Sequence, residues 1–198
     1  MLDRFIRPFI ARPLESLATL FLKLNISPNQ VTLCGLIIGL GCIPALDVRM
    51  YPLAGLLLCL NRLLDGVDGS MARKTTSTAF GGYLDIVCDL LFYGGFVFGF
   101  ALAQPENAVW AAGLLFAFIG TCSSFLAYNA LHNGKSHDPE GRSLYFLAGL
   151  TEGTETILFF LSMLIWPHLF AILAIVFSVL CHITTFSRFF KVHRKLKS

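Results

Sequence analysis

The chain has 198 residues, of which 56% are hydrophobic and 14% are charged, and its mean hydropathy is +0.71. Nineteen phenylalanines and several long apolar stretches exceed the usage of soluble domains, so the composition excludes an ordinary water-soluble protein and predicts an integral membrane protein. The formal net charge of +3 is too small to favour a nucleic-acid-binding surface, and no nucleic-acid partner is expected.

Residues 1–25 are predicted to form an amphipathic helix that lies in the membrane interface, separate from a membrane domain of residues 26–198. The segment lacks the continuous apolar core and the small-residue cleavage site of a signal peptide. Apolar side chains recur on one face at helical spacing, before and after Pro8 and Pro13. They are Leu2, Phe5, Ile6, Phe9, Ile10, Leu14, Leu17, Ala18 and Phe21. The same pattern fits a helix that packs against protein, and the sequence leaves both interpretations open.

Six apolar segments follow, and each is predicted to be a transmembrane helix because lipid offers backbone groups no hydrogen-bonding partners. They are roughly residues 31–48, 50–64, 80–103, 108–131, 144–166 and 168–190. The predicted fold is therefore all-α, an integral membrane bundle of six transmembrane helices with an N-terminal amphipathic interfacial helix.

The distribution of positive charge predicts the orientation of these helices. Thirteen of the fifteen Lys and Arg residues fall in the N-terminal segment, the second–third and fourth–fifth connections and the C-terminal tail. Arg49 falls on the opposite side and Arg62 inside a span. Because Lys and Arg accumulate in cytoplasmic segments, both termini are predicted to be cytoplasmic, as in a bacterial inner-membrane protein.

Four aspartates lie where the second span ends and the third begins. The pattern is Asp65-x2-Asp68-Gly69-x2-Ala72-Arg73, then seven residues, then Gly81-x3-Asp85-x3-Asp89. Charge at membrane depth is costly, so such a cluster is by default a functional site. The short connection predicts that the two helices are antiparallel neighbours, and the carboxylates then converge in a polar notch open to the cytoplasm. Oxygen ligands without His or thiolate suit Mg²⁺ or Mn²⁺, and two such ions can clamp a pyrophosphate.

At these residues the chain resembles the CDP-alcohol phosphatidyltransferase family. That family's pattern is a pair of aspartates followed by Gly, Ala and Arg, then a Gly and two further aspartates. The sequence Ser27-Pro28-Asn29-Gln30-Val31-Thr32 is also similar to the start of the family's first helix, and the resemblance is sharp over residues 27–93. In one departure, seven residues separate Arg73 from Gly81 where most members compared have eight.

The resemblance implies a reaction of phospholipid synthesis. An alcohol hydroxyl attacks a phosphorus of a CDP-linked donor, and CMP leaves. The expected donor is CDP-diacylglycerol, because the notch is sunk in the leaflet, and the default acceptor is glycerol 3-phosphate. The resemblance also implies a homodimer in the membrane.

The resemblance also implies a role for each residue of the motif. Metal ligands are Asp65, Asp68 and Asp85, and Asp89 takes the hydroxyl proton while also contacting a metal. The nucleotide and donor site is formed by Gly69, Ala72, Arg73 and Gly81.

Candidate residues for the acceptor site lie outside the motif. They are Arg62, Lys135, Arg142, Glu152, Glu155 and Arg188. A phosphorylated acceptor needs cations, whereas glutamates in the fifth span would repel a phosphate and accept hydrogen bonds from a neutral polyol. Structural roles remain open for the same residues. Arg62 can form a helix-joining salt bridge with Glu152 or Glu155, Arg188 can snorkel to the membrane surface, and the connection residues can be solvated.

Three other functions are weighed against this transferase. One is a choline- or ethanolamine-type phosphotransferase that uses a soluble CDP-alcohol and diacylglycerol. Another is an ion-coupled carrier, which explains carboxylates inside spans but not the fixed glycines, Ala72 and Arg73. The third is a catalytically silent relative, and the complete set of four aspartates argues against it.

Overall fold

The computed structural model describes residues 3–131 and 153–197, and within these ranges the chain is helical and contains no β-strand. The helices are α1 (Asp3–Lys23), α2 (Pro28–Leu40), α3 (Cys42–Asp47), α4 (Tyr51–Lys74), α5 (Ala79–Ala103), α6 (Ala108–Leu131), α7 (Gly153–Ile165) and α8 (Phe170–Lys197). Short 3₁₀ turns at Pro105–Asn107 and Pro167–Leu169 precede α6 and α8. The predicted all-α fold is confirmed for the described residues.

Four helical segments of the described residues are long and apolar enough to cross a membrane, and the chain is an integral membrane protein. They are Pro28–Asp47, Ala79–Ala103, Pro105–Ala130 and Pro167–Arg194. The predicted second span is the first part of α4, which continues without a break to Lys74. The predicted fifth span corresponds to α7 from Gly153 onward, and its beginning near residue 144 lies outside the described residues.

The chain divides into two compact units, which we call the first unit (Arg4–Ala103) and the second unit (Gln104–Ser198 with Met1–Asp3). The first unit contains α2, which packs against both α4 and α5, and α3, which packs against the same two helices. In the second unit, α8 packs along α6, and α7 packs on α8. All four aspartates of the motif belong to the first unit.

The first predicted span begins with a capped helix and is interrupted partway. The backbone N–H of Gln30 donates to Ser27 Oγ at 3.3 Å, and the N–H of Ser27 donates to Gln30 Oε1 at 2.8 Å, a reciprocal cap that fixes the start of α2. Gly41 separates α2 from α3, and Pro44 is the third residue of α3. A proline there cannot donate to the preceding turn, so the span breaks into two helices.

The apolar stripe of α1 packs against protein within the first unit. Ala18 is fully buried in a cluster with Val31 of α2 and with Val67 and Met71 of α4. Further stripe residues, Leu14, Leu17 and Phe21, pack against the same cluster. The described half of the stripe therefore serves helix packing, which was the alternative interpretation of this pattern.

A lysine at the end of α4 also fastens this helix to α1. The Nζ atom of Lys74 donates to the carbonyl of Glu15 at 2.8 Å and to Thr19 Oγ1 at 2.6 Å. Because α4 carries Asp65 and Asp68, the packing of α1 behind it fixes the position of half the carboxylates.

Aromatic packing and lipid-facing surfaces characterise the second unit. Phe177 of α8 meets Phe118 of α6 edge-on with ring centroids 5.7 Å apart, and it stacks on Phe159 of α7 at 4.4 Å. Large apolar side chains on the outer faces of α6 and α8 are exposed, as expected of surfaces in contact with lipid. They include Val109, Phe116, Ile119, Ile172, Val179, Phe186 and Phe189.

Candidate active site

Three of the four aspartates form a compact cluster of carboxylates. Asp65 and Asp68 extend from α4 and Asp85 from α5, and one oxygen of each lies within 4.8 Å of the others. Oxygens bound to one Mg²⁺ at about 2.1 Å are separated by at most about 4.2 Å, so small side-chain rotations bring all three onto one ion. Like charges this close repel unless a cation neutralises them. The cluster therefore fits a hard divalent cation, Mg²⁺ or Mn²⁺, and the family to which the residues point uses such ions.

A threonine of the first span holds the most buried ligand of this cluster. Asp68 is 5% exposed, and its Oδ2 accepts a hydrogen bond from Thr32 Oγ1 at 2.5 Å. A hydroxyl that donates to a ligating carboxylate orients it and leaves its other oxygen for the metal.

Asp89 has a different environment, because its partner is an arginine. Arg62 Nη2 donates to Asp89 Oδ1 at 2.8 Å in an ion pair that is partly buried on both sides. Arg62 Nη1 lies 3.6 Å from Asp65 Oδ2. One guanidinium thus borders both the metal cluster and the fourth carboxylate.

A small pocket that is partly open to solvent lies between α2, α4 and α5. The aspartates 65, 68 and 89 and Arg62 form its polar part. The remaining wall is formed by Thr32, Gly35, Leu36, Asn61 and Cys88. The first unit therefore contains a cleft that is acidic, partly open and lined by three helices.

The helices of the site are arranged as their short connection predicts. Partway along both helices, Arg62 of α4 pairs with Asp89 of α5. At the far end, Tyr51 near the start of α4 stacks on Phe100 near the end of α5, with ring centroids 6.1 Å apart. α4 and α5 are therefore antiparallel neighbours that meet through their side chains, while the backbone of α2 approaches both helices closely.

The remaining motif residues lie around the α4–α5 connection. A Cβ added to Gly69 would lie 3.4 Å from Arg73 Nη1, so this glycine adjoins the exposed guanidinium of Arg73, which donates to Ser70 Oγ at 3.0 Å. A Cβ added to Gly81 would meet Asn29 Oδ1 at 3.2 Å and Thr78 Oγ1 at 3.1 Å. Ala72 lies on α4 between these groups and is half-buried.

The shorter connection between Arg73 and Gly81 is accommodated by helix capping. α4 ends at Lys74 and α5 begins at Ala79. Thr78 Oγ1 accepts a hydrogen bond from the N–H of Gly81 at 3.0 Å, as a side chain does at a helix N-terminus.

The candidate acceptor residues are distributed over both units. Arg62 belongs to the first unit, whereas Glu155, in the first turn of α7, and Arg188, on α8, belong to the second. Lys135, Arg142 and Glu152 lie outside the described residues. The prediction that these six residues surround one acceptor site therefore stays a prediction.

Arg188 does not snorkel to the surface. The residue is 7% exposed, its Nη1 donates to the carbonyl of Thr121 at 2.9 Å, and its guanidinium lies over the ring of Phe125 at 5.9 Å. A cation is thus held between α6 and α8 inside the second unit.

Sequence reasoning missed three residues that hydrogen-bond to the charged groups of the pocket: Thr32, Asn61 and Tyr93. Asn61 Oδ1 accepts from Arg62 Nε at 2.8 Å, and Tyr93 Oη lies 3.1 Å from Arg62 Nη1. Two signals were available in the sequence. Thr32 lies at the recognised helix start, and Asn61 places an amide next to a charged residue within a predicted span. Tyr93 gave no such signal, because a single tyrosine in an aromatic-rich span cannot be distinguished from a residue that packs in the core.

The chain is similar in sequence to several known proteins. The sequence pattern of the CDP-alcohol phosphatidyltransferase family matches residues 25–186. Inner membrane protein YnjF of Escherichia coli (strain K12) is 46% identical over 202 residues, covering 100% of this chain and 98% of YnjF. Archaetidylinositol phosphate synthase of Pyrococcus horikoshii is 38% identical over 98 residues, covering 49% of this chain and 52% of that protein.

Solved structures share the fold. Mycobacterium tuberculosis phosphatidylinositol phosphate synthase (PgsA1) in complex with manganese and citrate matches with a TM-score of 0.75 and 19% identity, covering 90% of this chain and 88% of that one. The same protein with CDP-DAG bound matches with a TM-score of 0.72 and 20% identity, covering 90% of this chain and 92% of that one.

Proposed function

The chain belongs to the CDP-alcohol phosphatidyltransferase family, and we propose that it transfers the phosphatidyl group of CDP-diacylglycerol to a small alcohol that carries its own phosphate. It is a membrane enzyme that transfers a substituted phosphate group. The observation that carries the proposal is the carboxylate cluster of Asp65, Asp68 and Asp85, with Asp89 held beside it by Arg62.

The proposed chemistry gives the four carboxylates two roles: three form the metal cluster, and the fourth accepts a proton. The acceptor hydroxyl forms a new bond to the phosphorus nearer the lipid, and the bond from that phosphorus to the CMP oxygen breaks. Asp89 takes the hydroxyl proton, because it lies beside the cluster and outside the set of three converging oxygens. When bound, one or two divalent cations neutralise the pyrophosphate and the charge that develops on the leaving CMP.

The cytidine side of the donor is assigned to the α4–α5 connection. Gly69 and Gly81 lack side chains that would keep a ligand from the backbone, and Ala72 keeps the adjacent turn narrow. The guanidinium of Arg73 is exposed next to Gly69 and offers planar donors to a phosphate.

A lipid donor is favoured over a soluble CDP-alcohol for two reasons. The carboxylates lie on helices of an integral membrane protein, where the acyl chains of a CDP-linked lipid remain in the bilayer. In addition, a protein of the same fold is known with CDP-DAG bound. The choline- or ethanolamine-type reaction is the alternative for the same site.

A phosphorylated acceptor is favoured by the similar proteins. Phosphatidylinositol phosphate and archaetidylinositol phosphate synthases are among the similar proteins, so an inositol phosphate becomes the leading acceptor ahead of glycerol 3-phosphate. Arg188, with Lys135 and Arg142, would supply positive charge for the acceptor phosphate. A neutral polyol held by Glu152 and Glu155 is the competing proposal.

The membrane arrangement proposed with this function has six spans, cytoplasmic termini and a cytoplasm-facing site. α7 and the first part of α4 would be the two spans added to the four long apolar segments. We place α1 at the membrane interface and propose a homodimer. The asymmetric distribution of Lys and Arg supports the orientation.

The test is release of CMP from cytidine-labelled CDP-diacylglycerol by the purified protein in mixed micelles with Mn²⁺ or Mg²⁺. Separate reactions contain inositol phosphate, glycerol 3-phosphate or unphosphorylated inositol, and a further arm supplies CDP-choline with diacylglycerol. Acceptor-dependent release with a phosphorylated alcohol, abolished by a chelator, supports the proposal. Turnover in the CDP-choline arm supports the alternative, and absence of CMP release in every arm contradicts the transferase.

A further inference from the structure

Each nitrogen of the Arg62 guanidinium donates a hydrogen bond within the first unit. Its Nε donates to Asn61 Oδ1 at 2.8 Å, its Nη1 to Tyr93 Oη at 3.1 Å, and its Nη2 to Asp89 Oδ1 at 2.8 Å. The rings of Phe92 and Tyr93 lie 4.8 and 5.3 Å from its central carbon. A guanidinium held in this way has a fixed plane and a fixed direction for each N–H.

The same guanidinium is tied to α2 through Asn61. This amide is 3% exposed, and its Nδ2 donates to the carbonyl of Gly35 at 2.8 Å. The chain of hydrogen bonds thus runs from the backbone of α2 through Asn61 and Arg62 on α4 to Asp89 on α5. The last carboxylate is positioned by all three helices that line the pocket.

We infer that Arg62 is a positioning residue that orients Asp89 toward the acceptor hydroxyl, and that it is not a ligand of the acceptor phosphate. The inference rests on the proposed function and deepens it. The bond from Arg62 occupies Asp89 Oδ1 and leaves Oδ2 for the hydroxyl proton and for a metal.

An acceptor-ligand role for Arg62 conflicts with this geometry. A phosphate that bound both Nη atoms would compete with Tyr93 and Asp89 for them, and it would be repelled by the Asp65 carboxylate, which lies 3.6 Å from Nη1. A displaced Asp89 would lose the hydrogen bond that orients it at the moment when the proton must move. Arg62 therefore acts through Asp89, and the acceptor phosphate binds elsewhere.

The primary variant is Arg62→Lys, which keeps the charge but replaces the planar fork with a point donor. Steady-state kinetics with CDP-diacylglycerol and acceptor are measured together with Mn²⁺ binding, followed by the spin-resonance signal of free Mn²⁺ without substrate. We expect kcat to fall roughly tenfold or more, while both KM values and the Mn²⁺ affinity stay within about twofold. Arg49→Lys is the matched control, because Arg49 is bonded to the carbonyl of Ala103 far from the motif.

Two further variants keep the inference testable if the Arg62→Lys protein does not fold. Tyr93→Phe removes one hydroxyl from the fork and should lower kcat about threefold with the same constant KM values. Arg62→Met removes a positive charge that lies 3.6 Å from Asp65, so Mn²⁺ should bind about tenfold more tightly while turnover falls. A merely structural loss would weaken Mn²⁺ binding and turnover together.

Two other outcomes contradict the inference. An unchanged kcat in Arg62→Lys shows that the fork is dispensable. A raised acceptor KM with an unchanged kcat makes Arg62 an acceptor ligand. If the parent protein itself releases no CMP, the proposed function fails, whereas an active parent with an active Arg62→Lys variant contradicts the positioning role alone.

Discussion

At the scale of single residues, the site separates carboxylates that look alike in the sequence. Asp68 is buried and bonded to Thr32, Asp85 is exposed, and Asp89 is paired with Arg62. Identical side chains at i, i+3 and i, i+4 spacings thus have environments that suit different roles. Substitutions should reveal this difference in kinetics.

Asp89→Asn keeps the size of the side chain but removes the proton acceptor. We expect kcat to fall by about 100-fold or more, with the donor KM within a few fold of the parent value. Asp68→Asn should instead raise the Mn²⁺ concentration needed for half-maximal activity, because it removes a ligand. Asp47→Asn, an exposed aspartate at the end of α3, is the control and should leave both quantities unchanged. Near-normal turnover of Asp89→Asn at saturating substrate would show that another group accepts the proton.

Thr32 offers a test of how the buried metal ligand is oriented. Thr32→Val removes the hydroxyl that donates to Asp68 Oδ2 and preserves the shape of the side chain. We expect Mn²⁺ to bind roughly tenfold more weakly, since loss of a group that orients a ligand costs about that much. Thr185→Val on α8, which loses only a bond to the carbonyl of Cys181, is the matched control. Equal Mn²⁺ affinities of the parent and Thr32→Val would contradict an orienting role.

At the scale of helices, the site depends on a close approach of α2 to its neighbours. A Cβ added to Gly39 would lie 2.7 Å from Phe92 Cδ2 and 2.8 Å from Asn61 Nδ2. These two side chains support Arg62 from both sides. A small residue at position 39 is therefore required by the neighbours of the site and not by the conformation of the helix.

Gly39→Ala should lower both stability and activity. We expect a cost of about 1–3 kcal/mol for overpacking, seen as a lower Tm in detergent, and a reduced kcat because Asn61 must move. Gly113→Ala is the control, because a Cβ at this position on α6 meets nothing within 4 Å, and it should leave Tm unchanged or raise it. A Tm of Gly39→Ala equal to that of the parent would show that α2 shifts freely.

The first helix illustrates why an amphipathic pattern has two readings. Its described stripe packs on α2 and α4, and Lys74 fastens it to the end of the helix that carries Asp65 and Asp68. Packing against protein and contact with the interface require the same apolar spacing. The structure thus gives α1 a supporting role beneath α4, and its contact with lipid is part of the proposed arrangement.

At the scale of the whole molecule, the remaining question is the orientation of the spans. A reporter enzyme fused after Ser198 should be active in the cytoplasm, and one inserted near Glu106 should be active on the opposite side. The reason is that thirteen of fifteen Lys and Arg residues lie in segments assigned to the cytoplasm. A C-terminal reporter active outside the cytoplasm would place the aspartates on the wrong side for a cytidine nucleotide.

The sequence alone determined the fold class, the membrane setting and the chemistry of the cluster. Apolar length and composition decide whether a chain enters lipid, and lipid in turn demands helices. Four aspartates, two glycines, an alanine and an arginine at fixed spacings identified the family and the metal, because each of these properties is local to the motif. The predicted start of α2 at Ser27 follows from capping, which is local as well.

The tertiary structure decided what depends on contacts between distant parts of the chain. Only packing brings Thr32 to Asp68 across 36 residues and Tyr93 to Arg62 across 31. It also packs α2 against both α4 and α5, and it turns Arg62 toward Asp89. Pairing of a buried cation is a matter of distance in space, which spacing along a sequence does not determine.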